Sequence, residues 1–313
     1  MNMAEMTMRE KLRSFMEETG RNIKETAEEA GISRPTLSLY LNGEYNGNTQ
    51  NVEKKLETYL DRKYGFHTGG GTAGVVRNRV GLFQTMDASG IVNTCEACQS
   101  FHGIGVITGA SGYGKTYTLR YYARKKKVLY VECIAAMGRR DLLEALREQI
   151  GLHGVRGSVY KQVRAICDLF AEDKGWLIIV DEADKLLTRA SVEKMEILRG
   201  IYDQSDEGVG LVLAGEPELE GRIKGLLPRL ESRTGIHTEL AGLTPEEVEE
   251  YLEGYDVDAD ALDLLKRRAT NRKNGCFRML DRTINNLVRL MNERGETRIS
   301  AELMEEVAKI SFF

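Results

Sequence analysis

The sequence has no long hydrophobic run, little net charge, one tryptophan and four prolines. A helix that spans a bilayer needs about 20 consecutive apolar residues, and no run approaches that length. The first residues, MNMAE, do not resemble a secretory signal. We therefore expect a cytoplasmic protein without a membrane partner. With a net charge of −4, the protein as a whole has no excess of positive charge that would attract nucleic acid. Any DNA contact must therefore come from local groups of cations.

Cysteine is also scarce, with five residues in the chain. Cys133 and Cys167 lie in apolar segments, which is typical of small core residues. Cys95 and Cys98 form a CxxC pair with His102 nearby, but a structural zinc site takes four ligands and the sequence has no second CxxC. Packing on one helix face is the favoured interpretation, and a zinc or redox site is the alternative.

The chain of 313 residues, 42% hydrophobic and 29% charged, is long enough for two or three domains. Its patterns divide it into a helical N-terminal domain (1–64), a flexible glycine-rich linker (65–80), an α/β core (81–242) and a helical lid (243–313). In the core, apolar runs alternate with amphipathic helices, which predicts a parallel sheet covered on both faces. The predicted strands are Ile104–Thr108, Val128–Cys133, Leu177–Val180 and Gly210–Ala214. From Thr244 onward the pattern is helical throughout.

The N-terminal domain contains a pattern similar to a repressor-type helix-turn-helix. Within Ile23–Tyr45, Gly31 suits a tight turn, and Ser33 is placed to cap a second helix that has proline in its first turn. That helix is expected to expose Arg34, Thr36, Ser38 and Tyr40 to DNA. Residues 1–64 hold 10 lysines and arginines against 11 acids. A helical protein-interaction bundle is therefore the alternative.

The sequence GASGYGKT at Gly109–Thr116 is the most informative motif. It follows an apolar strand and opens a helix, so several backbone N–H groups and the positive end of the helix dipole converge on one point. Lys115 is placed to reach the β- and γ-phosphates of ATP, and the Thr116 hydroxyl to bind Mg²⁺. The residues expected to hold the nucleotide are Gly109, Ser111, Gly112, Gly114, Lys115, Thr116 and Tyr117.

Two adjacent acids follow the apolar run Trp176–Val180. Asp181 is expected to join Thr116 in holding Mg²⁺, and Glu182 to orient and deprotonate the attacking water. An acid in the second position favours hydrolysis over simple nucleotide binding.

Three further positions bear on catalysis. Glu216 ends another strand, where a carboxylate near the γ-phosphate would repel it unless paired or protonated, so efficient unstimulated hydrolysis is not expected. Arg233, with Arg229 as the alternative, is expected to project into a neighbouring subunit's site and neutralise charge in the transition state. Arg278 is expected to contact the γ-phosphate from the lid.

Together these motifs resemble AAA+ ATPases of the initiator-like branch. With the helix-turn-helix pattern and the linker, nearly the whole chain resembles the Mu B-type transposition proteins and related target-selection ATPases of transposons. That resemblance implies an ATPase that forms a homo-oligomer, as a filament or ring, on double-stranded DNA with little sequence preference. It also implies delivery of that DNA to a transposase, whose stimulation of hydrolysis steers insertion away from occupied sites.

In such ATPases, loops beyond the second sheet strand line the DNA channel. The matching cations here are Arg139, Arg140, Arg156 and Lys161. Solvated helix ends are the alternative interpretation of these four residues.

Three alternatives to the transposition role stay open. Secretion-linked AAA+ proteins share the pattern Gly215-x-Pro217-Glu218-Leu219, and replication initiators or helicase loaders share the ATPase class. A nucleotide-sensing transcription regulator would instead read an operator through the helix that begins at Ser33.

Overall fold

A computed structural model describes residues 7–19, 22–45, 47–64, 81–155, 157–187, 192–271 and 275–310. The predicted linker, 65–80, lies outside these residues. The described chain forms two compact units. One takes its residues from Met1–Phe83, Gly254–Leu262 and Arg282–Phe313, and the other from Gln84–Glu253 and Asp263–Asp281. No helix among the described residues is long and apolar enough to cross a membrane.

Four helices form the N-terminal part of the first unit. They are α1 (Met8–Thr19), α2 (Ile23–Ala30), α3 (Arg34–Asn42) and α4 (Thr49–Tyr64). The Asn22 side chain caps α2 and the Ser33 hydroxyl caps α3, each by accepting a backbone N–H three residues later. Gly31 ends α2 with φ of 64°, a left-handed conformation that glycine adopts without strain.

The expectation that Tyr40 is exposed on α3 is wrong. Tyr40 is fully buried, and its hydroxyl donates to Glu53 Oε1 at 2.8 Å. The physical reason is helical spacing, because Leu37, Tyr40 and Leu41 share one face and that face packs into the bundle. Arg34 is exposed, whereas Thr36 and Ser38 are half-buried.

The second unit contains a five-stranded parallel sheet with strand order β2-β3-β4-β1-β5. Its strands are β1 (Ile104–Thr108), β2 (Val128–Glu132), β3 (Trp176–Asp181), β4 (Val209–Gly215) and β5 (Thr234–Glu239). The helices around it are α5 (Met86–Phe101), α6 (Lys115–Tyr122), α7 (Arg139–Gln149), α8 (Val159–Glu172), α9 (Glu193–Gln204), α10 (Leu219–Leu226), α11 (Pro228–Glu231) and α12 (Pro245–Tyr251). The four predicted strands are thus all present in the parallel sheet expected of the α/β core.

The remaining elements are β6 (Asp256–Val257), α13 (Ala259–Ala269), α14 (Phe277–Arg294), β7 (Arg298–Ile299) and α15 (Ala301–Ile310). The expectation that everything after Thr244 is helical is therefore wrong at two short strands. β6 and β7 pair in parallel through only two residues each. Segments this short carry no recognisable alternation of apolar and polar residues, which explains the error.

The CxxC pair packs inside the second unit. Cys95 and Cys98 are fully buried on α5, and a Cβ added to Gly105 of β1 would lie 2.7 Å from Cys98 Sγ. Helix and strand approach closely there because Gly105 has no side chain. Burial raises the pKa of the Cys98 thiol to about 12, so the thiol is protonated and unreactive at neutral pH. These contacts favour the packing interpretation.

Candidate nucleotide site

The glycine-rich loop lies between β1 and α6. The Gly109 N–H donates to the Gly215 carbonyl at 3.3 Å, which joins the loop to the end of β4. Gly112 and Gly114 have φ of 88° and 92°, in the left-handed region. A Cβ on Gly109 would also lie 2.7 Å from Leu240 Cβ, so this glycine is required for packing. The sequence predicted the need for glycine in this loop, but not the contact with Leu240.

Lys115 begins α6 and turns its ammonium back into the loop. Its Nζ donates to the carbonyls of Gly109 and Ala110, the latter at 3.1 Å, and lies 3.9 Å from Glu216 Oε1. The side chain is only 6% exposed. The loop therefore holds a buried positive charge where the sequence predicted phosphate contact.

The other predicted ligands surround this lysine. Thr116 follows it and is half-buried, whereas Ser111 and Tyr117 are exposed. Exposure leaves Ser111 and Tyr117 accessible to a ligand at the helix N-terminus.

The two acids lie at the end of β3, as predicted. Asp181 is fully buried, and its carboxylate accepts hydrogen bonds from the Tyr130 hydroxyl at 2.8 Å and the Glu182 N–H at 2.9 Å. Glu182 has φ of 55°, a strained conformation for a residue with a side chain. Its carboxylate pairs with Lys185 at 3.3 Å and is partly exposed. One acid is therefore fixed and buried, while the other is accessible.

Sequence reasoning missed Tyr130. Its hydroxyl donates to Asp181 and accepts from Arg120 Nε at 3.4 Å, and the guanidinium lies 5.6 Å from the ring centroid. Burial and the neighbouring Asp181 charge raise the pKa of Tyr130 well above its ordinary value, so the hydroxyl keeps its proton and remains a donor. The available signal was the position of this tyrosine on β2. It lies two residues before Glu132, which is the register partner of Asp181.

Tyr130→Phe is expected to lower the free energy of unfolding by about 1–3 kcal/mol, since it removes a donor from a buried carboxylate. Urea denaturation without nucleotide and with EDTA measures this. Tyr160→Phe is the matched control, because Tyr160 is 70% exposed on α8. Equal losses in the two variants would contradict a stabilising Tyr130–Asp181 hydrogen bond.

The two candidate trans-acting arginines differ in their surroundings. Arg233 Nε lies 2.7 Å from Asp203 Oδ1, and its Nη1 donates to the Arg229 carbonyl at 2.7 Å. Arg229 is exposed on α11, and its guanidinium has no partner among the described residues. Within one protomer, Arg229 is thus the more available of the two. The ion pair between Arg233 and Asp203 is partly exposed and therefore weak, so Arg233 can leave Asp203 for another partner.

Arg278 reaches the loop from the start of α14. Its N–H donates to the Gly112 carbonyl at 3.1 Å, and its Nη1 donates to Ser111 Oγ at 3.2 Å. The side chain is exposed. The structure therefore brings Arg278 to the phosphate loop.

Of the predicted DNA-contacting cations in this unit, Arg139 pairs with Glu193 at 3.0 Å. Arg140 and Lys161 are exposed, and neither side chain has an ion-pair partner among the described residues. Arg156 lies outside those residues. Arg140 and Lys161 are therefore accessible to an anionic partner, and Arg139 is exposed but paired.

Comparison with known proteins shows what the chain is similar to. Residues 99–223 match the family model described as an AAA domain. The chain is 28% identical over 290 residues to the Mu-like prophage FluMu DNA transposition protein B of Haemophilus influenzae, with 89% of this chain and 95% of that protein covered. The ATP-dependent target DNA activator B of Escherichia phage Mu is 25% identical, with 91% and 89% covered. Over about nine-tenths of its length the chain is thus similar to Mu B-type transposition proteins.

Among solved structures, the fold resembles the Aeropyrum pernix ORC2 protein. The TM-score is 0.58 at 17% identity, with 74% of this chain and 70% of that chain covered. At this identity the likeness concerns the fold alone. The AAA domain match over residues 99–223, on a chain with the AAA+ fold, supports nucleotide binding and ATPase activity.

Proposed function

We propose that this protein is a Mu B-type ATPase that acts in DNA transposition by assembling on double-stranded target DNA in its ATP-bound form. The observation that carries the proposal is similarity over 89% of the chain to a DNA transposition protein B, and over 91% to an ATP-dependent target DNA activator. Each match covers about nine-tenths of the chain, so neither is confined to the ATPase core. The assembly is a filament with little sequence preference, which presents DNA to a transposase.

The proposed chemistry is hydrolysis of ATP with Mg²⁺ held by the Thr116 hydroxyl and the Asp181 carboxylate. Oxygen donors are the ligands that Mg²⁺ prefers, and Asp181 is fixed at the end of β3 by two hydrogen bonds. The bound ion would neutralise charge on the phosphates. Glu182, accessible beside Asp181, accepts the proton of the attacking water. Lys115 and Arg278, which both contact the loop, stabilise phosphate charge.

Assembly follows from a site that one protomer leaves incomplete. Arg229 or Arg233 of one protomer enters the neighbour's site and contacts the γ-phosphate, so ATP links protomers and hydrolysis releases them. A mildly acidic protein can then hold DNA, because each protomer adds a few cations and the filament multiplies them. Stimulation of hydrolysis by the transposase dissolves the filament.

The proposed domain organisation matches this function. The helical domain, 1–64, provides a second DNA contact through a helix-turn-helix, with Arg34, Thr36 and Ser38 towards the duplex. The segment 65–80 serves as a flexible linker to the core, 81–242, and the lid, 243–313. A linker of this kind lets the small domain follow DNA without imposing one geometry on the filament.

Replacing Arg140 and Lys161 together by alanine is expected to weaken DNA binding. Loss of two phosphate contacts per protomer should lower the slope of log K against log salt by about 2, equally on two unrelated duplexes. Fluorescence anisotropy over a salt series measures this. Lys224→Ala, at an exposed cation paired with Glu220, is the control. An unchanged salt slope would exclude these residues from the DNA interface.

A further inference from the structure

Glu216 lies directly beside the phosphate loop, at the carboxyl end of β4. In the register of β1 and β4, Thr108 is opposite Gly215, and the Gly109 N–H donates to the Gly215 carbonyl at 3.3 Å. The Glu216 carboxylate Oε1 is 3.9 Å from Lys115 Nζ. The acid is thus within ion-pair distance of the lysine that serves the phosphates.

The backbone of Glu216 is fixed by contacts on both sides. Its N–H donates to Asp184 Oδ1 at 3.2 Å, and its carbonyl accepts the Leu219 N–H at 2.9 Å. A Cβ on Gly215 would lie 2.5 Å from Asp184 Oδ1, so the end of β4 sits tightly against the turn that follows the two acids. These contacts hold the Glu216 backbone in place, while its side chain is partly exposed.

The ammonium of Lys115 has three N–H donors. Two are taken by the Gly109 and Ala110 carbonyls, and Glu216 lies within reach of the third. Lys115 is 6% exposed and Glu216 38%, so water screens this pair only in part. The Glu216 carboxylate therefore competes with a bound γ-phosphate for Lys115. It affects ADP far less, because ADP has no γ-phosphate.

We propose that Glu216 restrains unstimulated hydrolysis by competing with the γ-phosphate for Lys115. The carboxylate acts through the lysine and the phosphate charge, as a positioning residue. It lowers the preference for ATP over ADP and keeps the lysine from its role in the transition state. A partner that supplies another cation to Glu216 removes the restraint. The inference rests on the ATP site proposed above and is independent of the role in transposition.

Glu216→Gln tests the proposal, because it removes the charge and keeps the shape. Glu218→Gln is the matched control, since Glu218 is exposed two residues away and has no ion-pair partner among the described residues. The measurements are unstimulated kcat without DNA or transposase, and the Kd values of MgATP and MgADP. Removing one charge contact should raise kcat and the ratio Kd(ADP)/Kd(ATP) by about tenfold each. The control variant should behave as wild type.

Glu216→Ser removes the same charge by a second route and should shift both quantities in the same direction. A Glu216→Gln protein with unchanged kcat and unchanged nucleotide preference would overturn the proposal. A fall in kcat would also overturn it, because Glu216 would then promote hydrolysis. Failure of the underlying ATP site is distinguishable, since wild-type protein would then bind neither nucleotide.

Discussion

Lys115→Ala is expected to lower ATP turnover by about 10²–10³-fold, the cost of removing one preorganised donor from a developing charge. The expectation follows from the position of the Lys115 side chain. The side chain is buried, and its ammonium lies inside the loop and contacts the Gly109 and Ala110 carbonyls. If ATP links protomers, the same variant should also lose assembly on DNA. Turnover is measured by phosphate release, and assembly by cosedimentation with random-sequence duplex.

Lys126→Ala is the control for this experiment, since Lys126 is exposed just beyond the same helix. Thermal unfolding of both variants tests whether loss of activity reflects loss of fold. A folded Lys115→Ala protein with wild-type turnover would contradict the assignment of the phosphate loop. If the variant assembled normally on DNA without binding ATP, assembly on DNA would not depend on the nucleotide.

Glu182→Gln is expected to slow hydrolysis by about 10²–10⁴-fold while ATP still binds, because the amide cannot accept the proton of the attacking water. The Glu182 carboxylate is accessible and contacts Lys185, whereas Asp181 is fully buried. From these surroundings we infer the proton-transfer role for Glu182 and the fixed ligand role for Asp181. In the presence of ATP, the variant should therefore remain on DNA long after wild-type protein has dissociated.

The lifetime of the DNA complex is measured after dilution into competitor DNA. Glu172→Gln, at an exposed carboxylate at the end of α8, serves as the control. Equal lifetimes for Glu182→Gln and wild type would contradict release by hydrolysis. An equal lifetime together with slowed hydrolysis would show that Glu182 acts in catalysis but that catalysis does not govern dissociation.

The sequence predicted those parts of the fold that a short run of neighbouring residues defines by itself. Three buried strands, β1, β3 and β4, and the loop at Gly109–Thr116 are examples, because continuous apolar runs and fixed glycine spacing are visible without any tertiary contact. The strand β5 was missed since its residues, T-G-I-H-T-E, alternate between half-buried and exposed positions and include a single strongly apolar residue. An edge strand of that kind has a weak signal.

Contacts between residues far apart in the sequence could not be predicted. The hydrogen bond from Tyr130 to Asp181 depends on the β2–β3 register, and the ion pair of Arg233 depends on where α9 places Asp203. The burial of Tyr40 depends on which face of α3 meets the bundle. In each case the residue type was visible but its partner was set by packing. Glu216 was recognised as unusual from sequence, whereas its closeness to Lys115 required the structure.

The most direct test of ATP-dependent assembly on DNA is electron microscopy of the full chain with random-sequence duplex. Samples contain a non-hydrolysable ATP analogue, ADP or no nucleotide, at equal protein and DNA concentrations. If ATP links protomers, continuous protein assemblies should cover the DNA with the ATP analogue, and the DNA should stay bare under the other two conditions. Discrete dimers confined to one sequence, or assemblies that form equally without nucleotide, would contradict it.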